Sequence, residues 1–180
     1  MFTVTANTRE VGTNADAIVC AVPGKTIAVI TADCVPILAA TESGRGVAAI
    51  HAGWRGLASG VVAEGISALR AASQTKESIF AVVGPHIGAC CYEVDEPVID
   101  AMRERFGAAA VEAACRPTSP GHAHLSLVSL CLLELEGSGV IAEQRAVLAG
   151  GCTSCDTARF HSYRREGAAA GRMEHFIATS

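Results

Sequence analysis

The sequence predicts an α/β (α+β) sandwich in which a mixed β-sheet packs against helices. Two observations predict it. Apolar strand-like runs alternate with amphipathic runs of helical period, and the early strands are joined by turns short enough to require antiparallel pairing. Half of the 180 residues are hydrophobic, which suffices for a substantial core. Because no repeat, linker or low-complexity tract divides the chain, residues 1–180 are expected to form a single domain.

The predicted strands are short, apolar and rich in β-branched residues, and the turn signals PGK and ESGRG separate the early ones. Their nearly continuous apolarity indicates strands that are buried on both faces. A further buried strand ends before Gly84-Pro85. The predicted strand segments are DAIVCAV, TIAVITA, VPILAAT, GVAAIHA, SIFAVVGPHIG, AEQRAVLAGG and RMEHFIATS.

Three helices are predicted. Apolar residues recur on one face of the segment 57–73. The segment 95–106 begins with Asp95 in the N-cap position and has Pro97 near its start, both of which favour helix initiation. The apolar segment 125–139 is expected to end at its glycines.

Charge and composition exclude several classes of function. The net charge is −4 and the basic residues are dispersed, which argues against a nucleic-acid-binding surface. No apolar run reaches the ~20 residues that cross a bilayer, and the first residues lack the pattern of a secretory signal, so we expect a cytoplasmic protein. In that compartment its eight cysteines are core residues, metal ligands or nucleophiles rather than disulfides. Cys20 and Cys131 lie in apolar runs and are predicted core residues.

One predicted hairpin, residues 32–56, carries Cys34 at the start of its first strand and His51 near the end of its second. If the turn falls at residues 42–45, His51 lies opposite Pro36, on the same face as Cys34 and one pair further along. Three interpretations stay open on spacing alone. The pair is a packed cysteine with a hydrogen-bonded histidine, a zinc or copper site that needs at least a third protein ligand, or a thiol nucleophile with its base.

Arginines follow in two motifs. In HAGWRG, the strand enters a helix through a glycine-rich turn, and Arg55 beside the helix N-terminus forms a candidate phosphate or oxyanion site; a tight turn with a surface arginine is the alternative. In FHSYRRE, Arg164 and Arg165 offer guanidinium groups suited to phosphate oxygens, unless they form a solvated basic turn. His161 and Arg172 are weaker candidates.

The remaining cysteines form two motifs. Cys90 and Cys91 are adjacent, so in an extended chain their side chains point to opposite sides and at most one faces a common site. Glu93 beside them is a candidate hydrogen-bonding or proton-transfer group. Cys152 and Cys155 form a CxxC motif, typical of a redox pair or half of a zinc site. A structural zinc needs a second pair of cysteines, and Cys90 and Cys91 lack the usual spacing of zinc ligands. A structural role is favoured for Cys90 and Cys91.

Five motifs, in this order, resemble the laccase-domain family, also called YfiH-like or multicopper polyphenol oxidase-like: TADCVPIL, HAGWRG, GPHIGACCYEV, GGCTSC and FHSYRREGAAAGRM. The resemblance runs from about residue 14 to 177. It implies an α/β sandwich with a single metal, usually zinc and sometimes copper. It also implies phosphorolysis of purine nucleosides, with adenosine deamination and methylthioadenosine cleavage as companion activities, and links to peptidoglycan precursor editing and polyphenol oxidation.

The resemblance also implies roles for particular residues. Cys34 and His51 correspond to two metal ligands, whereas the third, a histidine of a QVHG-like segment, corresponds to no residue, so the chain is expected to be short at its N-terminus. His122 and His124 correspond to no ligand of the family. Beyond the metal ligands, the predicted roles are phosphate binding or charge stabilisation for Arg55 and Arg164, and orientation of a metal ligand for Asp33. Cys152 and Thr153 are expected near the pocket.

The leading prediction is therefore a metal-dependent purine nucleoside phosphorylase whose partners are a nucleoside and phosphate, with neither nucleic acid nor membrane. One alternative is a cysteine amidase acting on peptidoglycan precursors, with Cys34 as nucleophile and His51 as base. Another is an inactive or binding form that lacks a complete metal site. Multicopper phenol oxidation is disfavoured, because six scattered histidines cannot hold a type-1 copper and a trinuclear cluster. No oligomeric state is predicted.

Overall fold

The computed structural model describes residues 2–4, 15–148 and 151–180. Its centre is a mixed six-stranded sheet. The strands are β1 (Phe2–Val4), β2 (Ala17–Cys20), β4 (Val35–Thr41), β5 (Val47–Ala52), β6 (Ile79–Val83) and β10 (Arg145–Val147). They lie in the order β1-β2-β5-β4-β6-β10; β2, β5, β4 and β6 pair antiparallel, and the outer strands β1 and β10 pair parallel to their neighbours. The predicted mixed sheet is confirmed.

Two smaller sheets complete the β-structure. Strands β3 (Thr26–Thr31) and β11 (Met173–Ala178) form an antiparallel pair, and β7 (Glu93–Asp95), β9 (His122–Leu125) and β8 (Cys115–Ser119) form a three-stranded sheet. The helices are α1 (Trp54–Ala58), α2 (Val61–Ser73), α3 (Glu96–Phe106), α4 (Ala108–Ala114), α5 (Leu127–Gly137) and α6 (Tyr163–Glu166), with short 3₁₀ segments at Ala142–Gln144 and Gly167–Ala169.

Strand β5 is buried between two layers, which makes the fold a sandwich. Its residues Ala48, Ile50 and Ala52 join the main core against the helices. Val47 and Ala49, on its other face, pack with apolar side chains of β3. The predicted burial of the early strands on both faces therefore holds for β5, and both core predictions are confirmed, since Cys20 and Cys131 are fully buried.

The structure departs from the predicted elements in several places. The predicted helix 57–73 is two helices, because Gly60 adopts φ +83°, a left-handed conformation that ends α1. Asp95 occupies the N-cap position of α3, but its side chain makes no capping hydrogen bond. The predicted late strand is shortened to β10, and residues 149–150 at its end lie outside the described residues. Strands β1, β7, β8 and β9 and helix α4 were not predicted.

The hairpin register is as predicted. Pro36 pairs with His51 in the β4–β5 ladder. Because Val35 and Ile37 face the helix-side core, the alternation of a strand places Pro36 and His51 on the opposite face. None of the described helices is long and apolar enough to span a membrane.

Helix α2 approaches the sheet at Gly65, which offers a paired test of packing. A Cβ at Gly65 would lie 2.6 Å from Cδ1 of Ile50, whereas a Cβ at Gly137, the exposed last residue of α5, would meet nothing within 4 Å. We expect Gly65→Ala to lower the free energy of unfolding by about 1–3 kcal/mol. Gly137→Ala should leave it unchanged or raise it by up to about 1 kcal/mol. Urea denaturation measures both, and equal effects would contradict this packing.

A half-buried histidine predicts a pH dependence of stability. His175 of β11 shares a 2.9 Å hydrogen bond with the Thr31 hydroxyl, and burial lowers the pKa of its imidazole. The unfolded chain then binds the proton more readily, so stability present above the unfolded pKa of about 6.5 is lost as the pH falls through and below it. We expect His175→Gln to weaken the loss of stability between about pH 7.5 and 5.5. His122→Gln, at an exposed histidine, is the control; parallel losses in all three proteins would contradict the assignment.

Candidate active site

Cys34 and His51 meet as the hairpin register requires. The Cys34 sulfur, as a hydrogen-bond acceptor, and then Asp16 raise the pKa of His51 to about 9, although burial opposes them. Gly53 closes the space beside them, because a Cβ there would lie 3.1 Å from Sγ of Cys34 and 3.8 Å from Nε2 of His51. The glycine of HAGWRG therefore allows the chain to turn close against the pair.

Asp16 holds His51 from the other side of the ring and was not found by sequence reasoning. Its Oδ1 lies 2.8 Å from Nδ1 of His51, and its carbonyl accepts the His51 amide at 2.7 Å. Asp16 directly precedes β2, which pairs with β5. A carboxylate on Nδ1 fixes the ring and leaves Nε2 free to act towards the thiol side, as in carboxylate–histidine–metal arrangements.

The pair supplies two donors for a metal. A thiolate and an imidazole nitrogen suit zinc or copper. Zinc ordinarily takes at least three protein ligands. Among the residues the structure describes, no group of three or more histidine, cysteine or acidic ligand atoms forms around Cys34 and His51. The donor chemistry therefore fits the implied metal, which Cys34 and His51 would hold.

Asp33 joins three separate segments of the chain. It is 7 % exposed, and its carboxylate accepts hydrogen bonds from the Thr153 hydroxyl at 2.6 Å, the Ser162 hydroxyl at 3.0 Å and the Arg164 backbone amide at 2.6 Å. Its φ of +89° is rare for a residue with a side chain. The sequence analysis expected Asp33 to orient a metal ligand. That role stays a prediction, and in the structure Asp33 fixes the segment that begins α6, whereas Asp16 contacts His51.

Arg164 lies at the start of α6, beside Tyr92. Its guanidinium donates to the Glu93 carbonyl at 2.9 Å and lies 5.2 Å from the centre of the Tyr92 ring. Burial, with the negative charge of Cys34, raises the pKa of Tyr92 to about 12, against the opposing effect of Arg164 and Arg55. Tyr92 therefore keeps a neutral hydroxyl, and Cys34, Arg164 and Arg55 all act on it electrostatically.

Arg55 follows His51 closely, as its motif requires. Its guanidinium carbon lies 4.3 Å from the centre of the Trp54 ring, and the side chain is exposed. Arg55 is the second residue of α1, which has only five residues, so the helix adds only a small dipole to the anion site predicted at its N-terminus. Arg55 thus brings its own charge to the site with little support from the helix.

Other candidate residues are engaged elsewhere. Arg165 donates to the carbonyls of Thr153, Ser154 and Phe160, which makes it a support for the loop. The Glu93 carboxylate accepts the Thr118 hydroxyl at 2.6 Å, and this bond lowers the pKa of Glu93, so it is a poor proton donor.

Three of the weaker candidates bind backbone carbonyls, and the fourth is exposed. His122 and His124 each use Nδ1 on a backbone carbonyl, of Pro120 and Ala89 respectively. Arg172 donates to the carbonyls of Ala170 and Gly171. His161 is exposed.

The two cysteine motifs converge, which the sequence analysis did not expect. The Sγ atoms of Cys91 and Cys155 are 3.3 Å apart, and those of Cys90 and Cys155 are 3.7 Å apart. All four ligand atoms of Cys90, Cys91, Cys152 and Cys155, hereafter the cysteine cluster, lie within 4.8 Å of one another. The prediction that at most one of the adjacent cysteines faces a common site is wrong, because they lie in a turn rather than a strand.

Comparison with known proteins shows which family has this sequence and fold. The chain matches the family model described as multi-copper polyphenol oxidoreductase laccase over residues 1–180. The chain belongs to this laccase-domain family. It is 39% identical over 159 residues to a purine nucleoside phosphorylase of Xylella fastidiosa, covering 88% of this chain and 58% of that protein. It is also 39% identical over 166 residues to the purine nucleoside phosphorylase YfiH of Escherichia coli, covering 91% of this chain and 63% of that protein.

The fold agrees with that of solved structures similar to this chain. The crystal structure of Neisseria meningitidis protein NMB0706 superposes with a TM-score of 0.86 at 34% identity, covering 100% of this chain and 71% of that one. The predicted fold class is thereby confirmed. The chain spans 58% of the length of the Xylella relative, so it corresponds to part of that protein. A multicopper laccase needs clustered histidines. Among the described residues, the one cluster of candidate metal ligands consists of cysteines.

The Asp33 network predicts a large effect of a small change. Asp33→Asn replaces a charged acceptor of three hydrogen bonds by an amide that accepts through one oxygen. We expect the free energy of unfolding to fall by about 2–4 kcal/mol. Asp100→Asn, at an exposed aspartate that pairs with Arg103, is the control and should change it by less than about 0.5 kcal/mol. Equal midpoints in urea for both variants would show that the Asp33 network contributes little.

Proposed function

We propose that this chain is the catalytic region of a metal-dependent purine nucleoside phosphorylase. Two observations support it together. The site brings a thiol–imidazole pair, a neutral tyrosine and two arginines to one place, and the relatives it matches over most of its length are named purine nucleoside phosphorylases. The first observation carries the proposal, because it supplies groups for both a metal and an oxyanion.

Phosphorolysis requires a bound phosphate and stabilisation of the leaving purine, and these residues can provide both. In phosphorolysis a phosphate oxygen bonds to the anomeric carbon of the ribose while the bond to the purine nitrogen breaks, and the electron pair leaves with the base, which takes up a proton. The dianionic nucleophile must be held in place, and negative charge develops on the purine. Arg164 and Arg55 provide permanent positive charge for the phosphate, and the neutral Tyr92 hydroxyl provides a donor beside them.

Positioning is the task of the buried network. Arg164 is fixed at both its side chain and its backbone. The guanidinium donates to the Glu93 carbonyl, and the backbone amide donates to the Asp33 carboxylate. Cys34 and His51, with Asp16 on the far side of the ring, would hold the metal. A metal bound there supplies Lewis acidity towards the base. Companion deamination of adenosine and cleavage of methylthioadenosine belong to the same proposal, as does action in the cytoplasm, where the eight unpaired cysteines would stay reduced.

Arg164 gives the sharpest test of phosphate binding. We expect Arg164→Gln to raise the KM for phosphate about 10- to 150-fold, the equivalent of one charge-assisted hydrogen bond of about 1.5–3 kcal/mol, with a smaller effect on the KM for the nucleoside. Arg103→Gln, at an exposed arginine of α3, is the matched control. The readout is phosphate-dependent release of base from inosine and adenosine. An unchanged KM for phosphate would remove Arg164 from the phosphate site.

Metal dependence is tested separately. Cys34→Ala and His51→Ala should each lower the zinc content by one equivalent per chain and abolish phosphorolysis, because each removes one of the two donors. Cys115→Ser and His122→Gln are the controls. Mass spectrometry of protein purified without chelator or nickel resin measures the metal. Full activity in either alanine variant would contradict the proposal, and a folded chain without metal or turnover would favour a binding scaffold.

A second candidate function rests on the same pair. The hydrogen bond between Cys34 and His51, with Asp16 behind the imidazole, also has the order of a thiol nucleophile, its base and an orienting carboxylate. A cysteine amidase acting on peptidoglycan precursors would use it. Such an enzyme would be inactivated by iodoacetamide at Cys34 and inhibited by added zinc. Zinc activation of nucleoside turnover, without amide hydrolysis, would exclude it.

A further inference from the structure

The cysteine cluster lies outside the Cys34 pair and is formed by two turns from distant parts of the chain. In the first, the amides of Cys91 and Tyr92 both donate to the Gly88 carbonyl, at 3.0 and 3.1 Å. In the second, the amides of Cys155 and Asp156 both donate to the Cys152 carbonyl, at 3.1 and 3.0 Å. Each turn curls the backbone so that two thiols point the same way, which neither motif does in an extended chain.

The backbone brings the two turns together before any thiol is considered. His86 and Cys152 form a parallel bridge, and the Thr153 amide donates to the His86 carbonyl at 3.1 Å. Gly88 fits between the cysteines, since a Cβ there would lie 3.2 Å from both Sγ of Cys90 and Cβ of Cys152. The four sulfurs therefore share a small volume that the fold has built.

We propose that the cysteine cluster is a tetrathiolate zinc site. Tetrahedral zinc with Zn–S bonds of about 2.3 Å requires sulfurs about 3.8 Å apart. The two separations of 3.3 and 3.7 Å, and the limit of 4.8 Å for all pairs, lie around that value. Four soft sulfur ligands in this geometry favour zinc over the hard cations. The two thiols of CxxC have the spacing that structural zinc sites use.

Charge and protons balance at this site. Binding of Zn²⁺ displaces the four thiol protons to solvent and leaves a centre with a net charge of −2. A cation lies close by. The Arg165 guanidinium donates to the carbonyls of Thr153 and Ser154, the two residues between the cysteines of CxxC, at 2.8 and 2.9 Å. No electron is transferred, so the step needs no oxidant or reductant.

The site has a structural consequence for the neighbouring pocket. The first turn leads directly into Tyr92, and the second contains Thr153, whose hydroxyl donates to Asp33. A metal shared by the two turns would hold both residues in place at once. This inference concerns the metal alone and does not rest on the proposed function, because zinc binding by the cluster is measurable whatever reaction the pocket carries out.

Cobalt and zinc binding test the proposal on the full chain. The Cys34→Ala variant, which lacks the other candidate metal donor, is purified under reducing conditions and loaded with Zn²⁺ or Co²⁺. Second substitutions, Cys91→Ser or Cys155→Ser, are then compared with Cys115→Ser, a half-buried thiol of β8 outside the cluster. We expect Cys34→Ala and the Cys115→Ser control to bind one zinc per chain. Either cluster substitution should weaken zinc binding at least tenfold, so that the zinc is lost.

The spectrum identifies the ligands and gives a readout independent of activity. Co²⁺ should show the intense visible bands and thiolate charge-transfer bands of a tetrahedral sulfur site, which Zn²⁺ then displaces. Circular dichroism shows whether each variant is folded. Zinc retained in Cys155→Ser, a Cys91–Cys155 disulfide in protein kept reduced, or iron as the native metal would each overturn the proposal. Nucleoside turnover retained in Cys34→Ala would count against the proposed function only, because zinc binding by the cluster is measured independently of activity.

Discussion

A carboxylate removed from water must be surrounded by hydrogen-bond donors, and this requirement organises the candidate active site. Asp33 sits at the junction between β3 and β4, in a backbone conformation that favours glycine. Its donors come from residues at least 120 positions away in sequence. The carboxylate therefore brings the C-terminal loops to the mouth of the hairpin, and Arg164 reaches the Cys34 side of the molecule because of it.

The loops held by Asp33 are connected a second time through backbone and sulfur. The segment from His86 to Tyr92 contacts the segment from Cys152 to Asp156 by a bridge, by a backbone hydrogen bond and by close thiols. Arg165 adds three hydrogen bonds to carbonyls of the second region. The pocket is thus assembled from turns, and its precision depends on contacts between turns rather than on one rigid element.

Sequence reasoning found the parts that local pattern determines. The apolar runs and their turns predicted the central strands, and a symmetric two-strand turn was enough to place His51 opposite Pro36. Asp16 was missed because it meets His51 only through the pairing of β2 with β5, which are not consecutive. Strand β8, CRPTS, was missed because its residues disfavour strands. The cysteine cluster was missed because it requires the curl of two turns, which spacing alone does not show.

The burial of β5 on both faces has a consequence for how the site could fail. Its residues alternate between the helix-side core and the core against β3, so a slip of one position would exchange every contact of the strand. The same slip would carry the imidazole of His51 through the sheet and into the helix layer, away from Cys34. A chain that paired its strands wrongly would therefore hold no thiol–imidazole pair at all, and the chemistry is confined to molecules that have folded in one register.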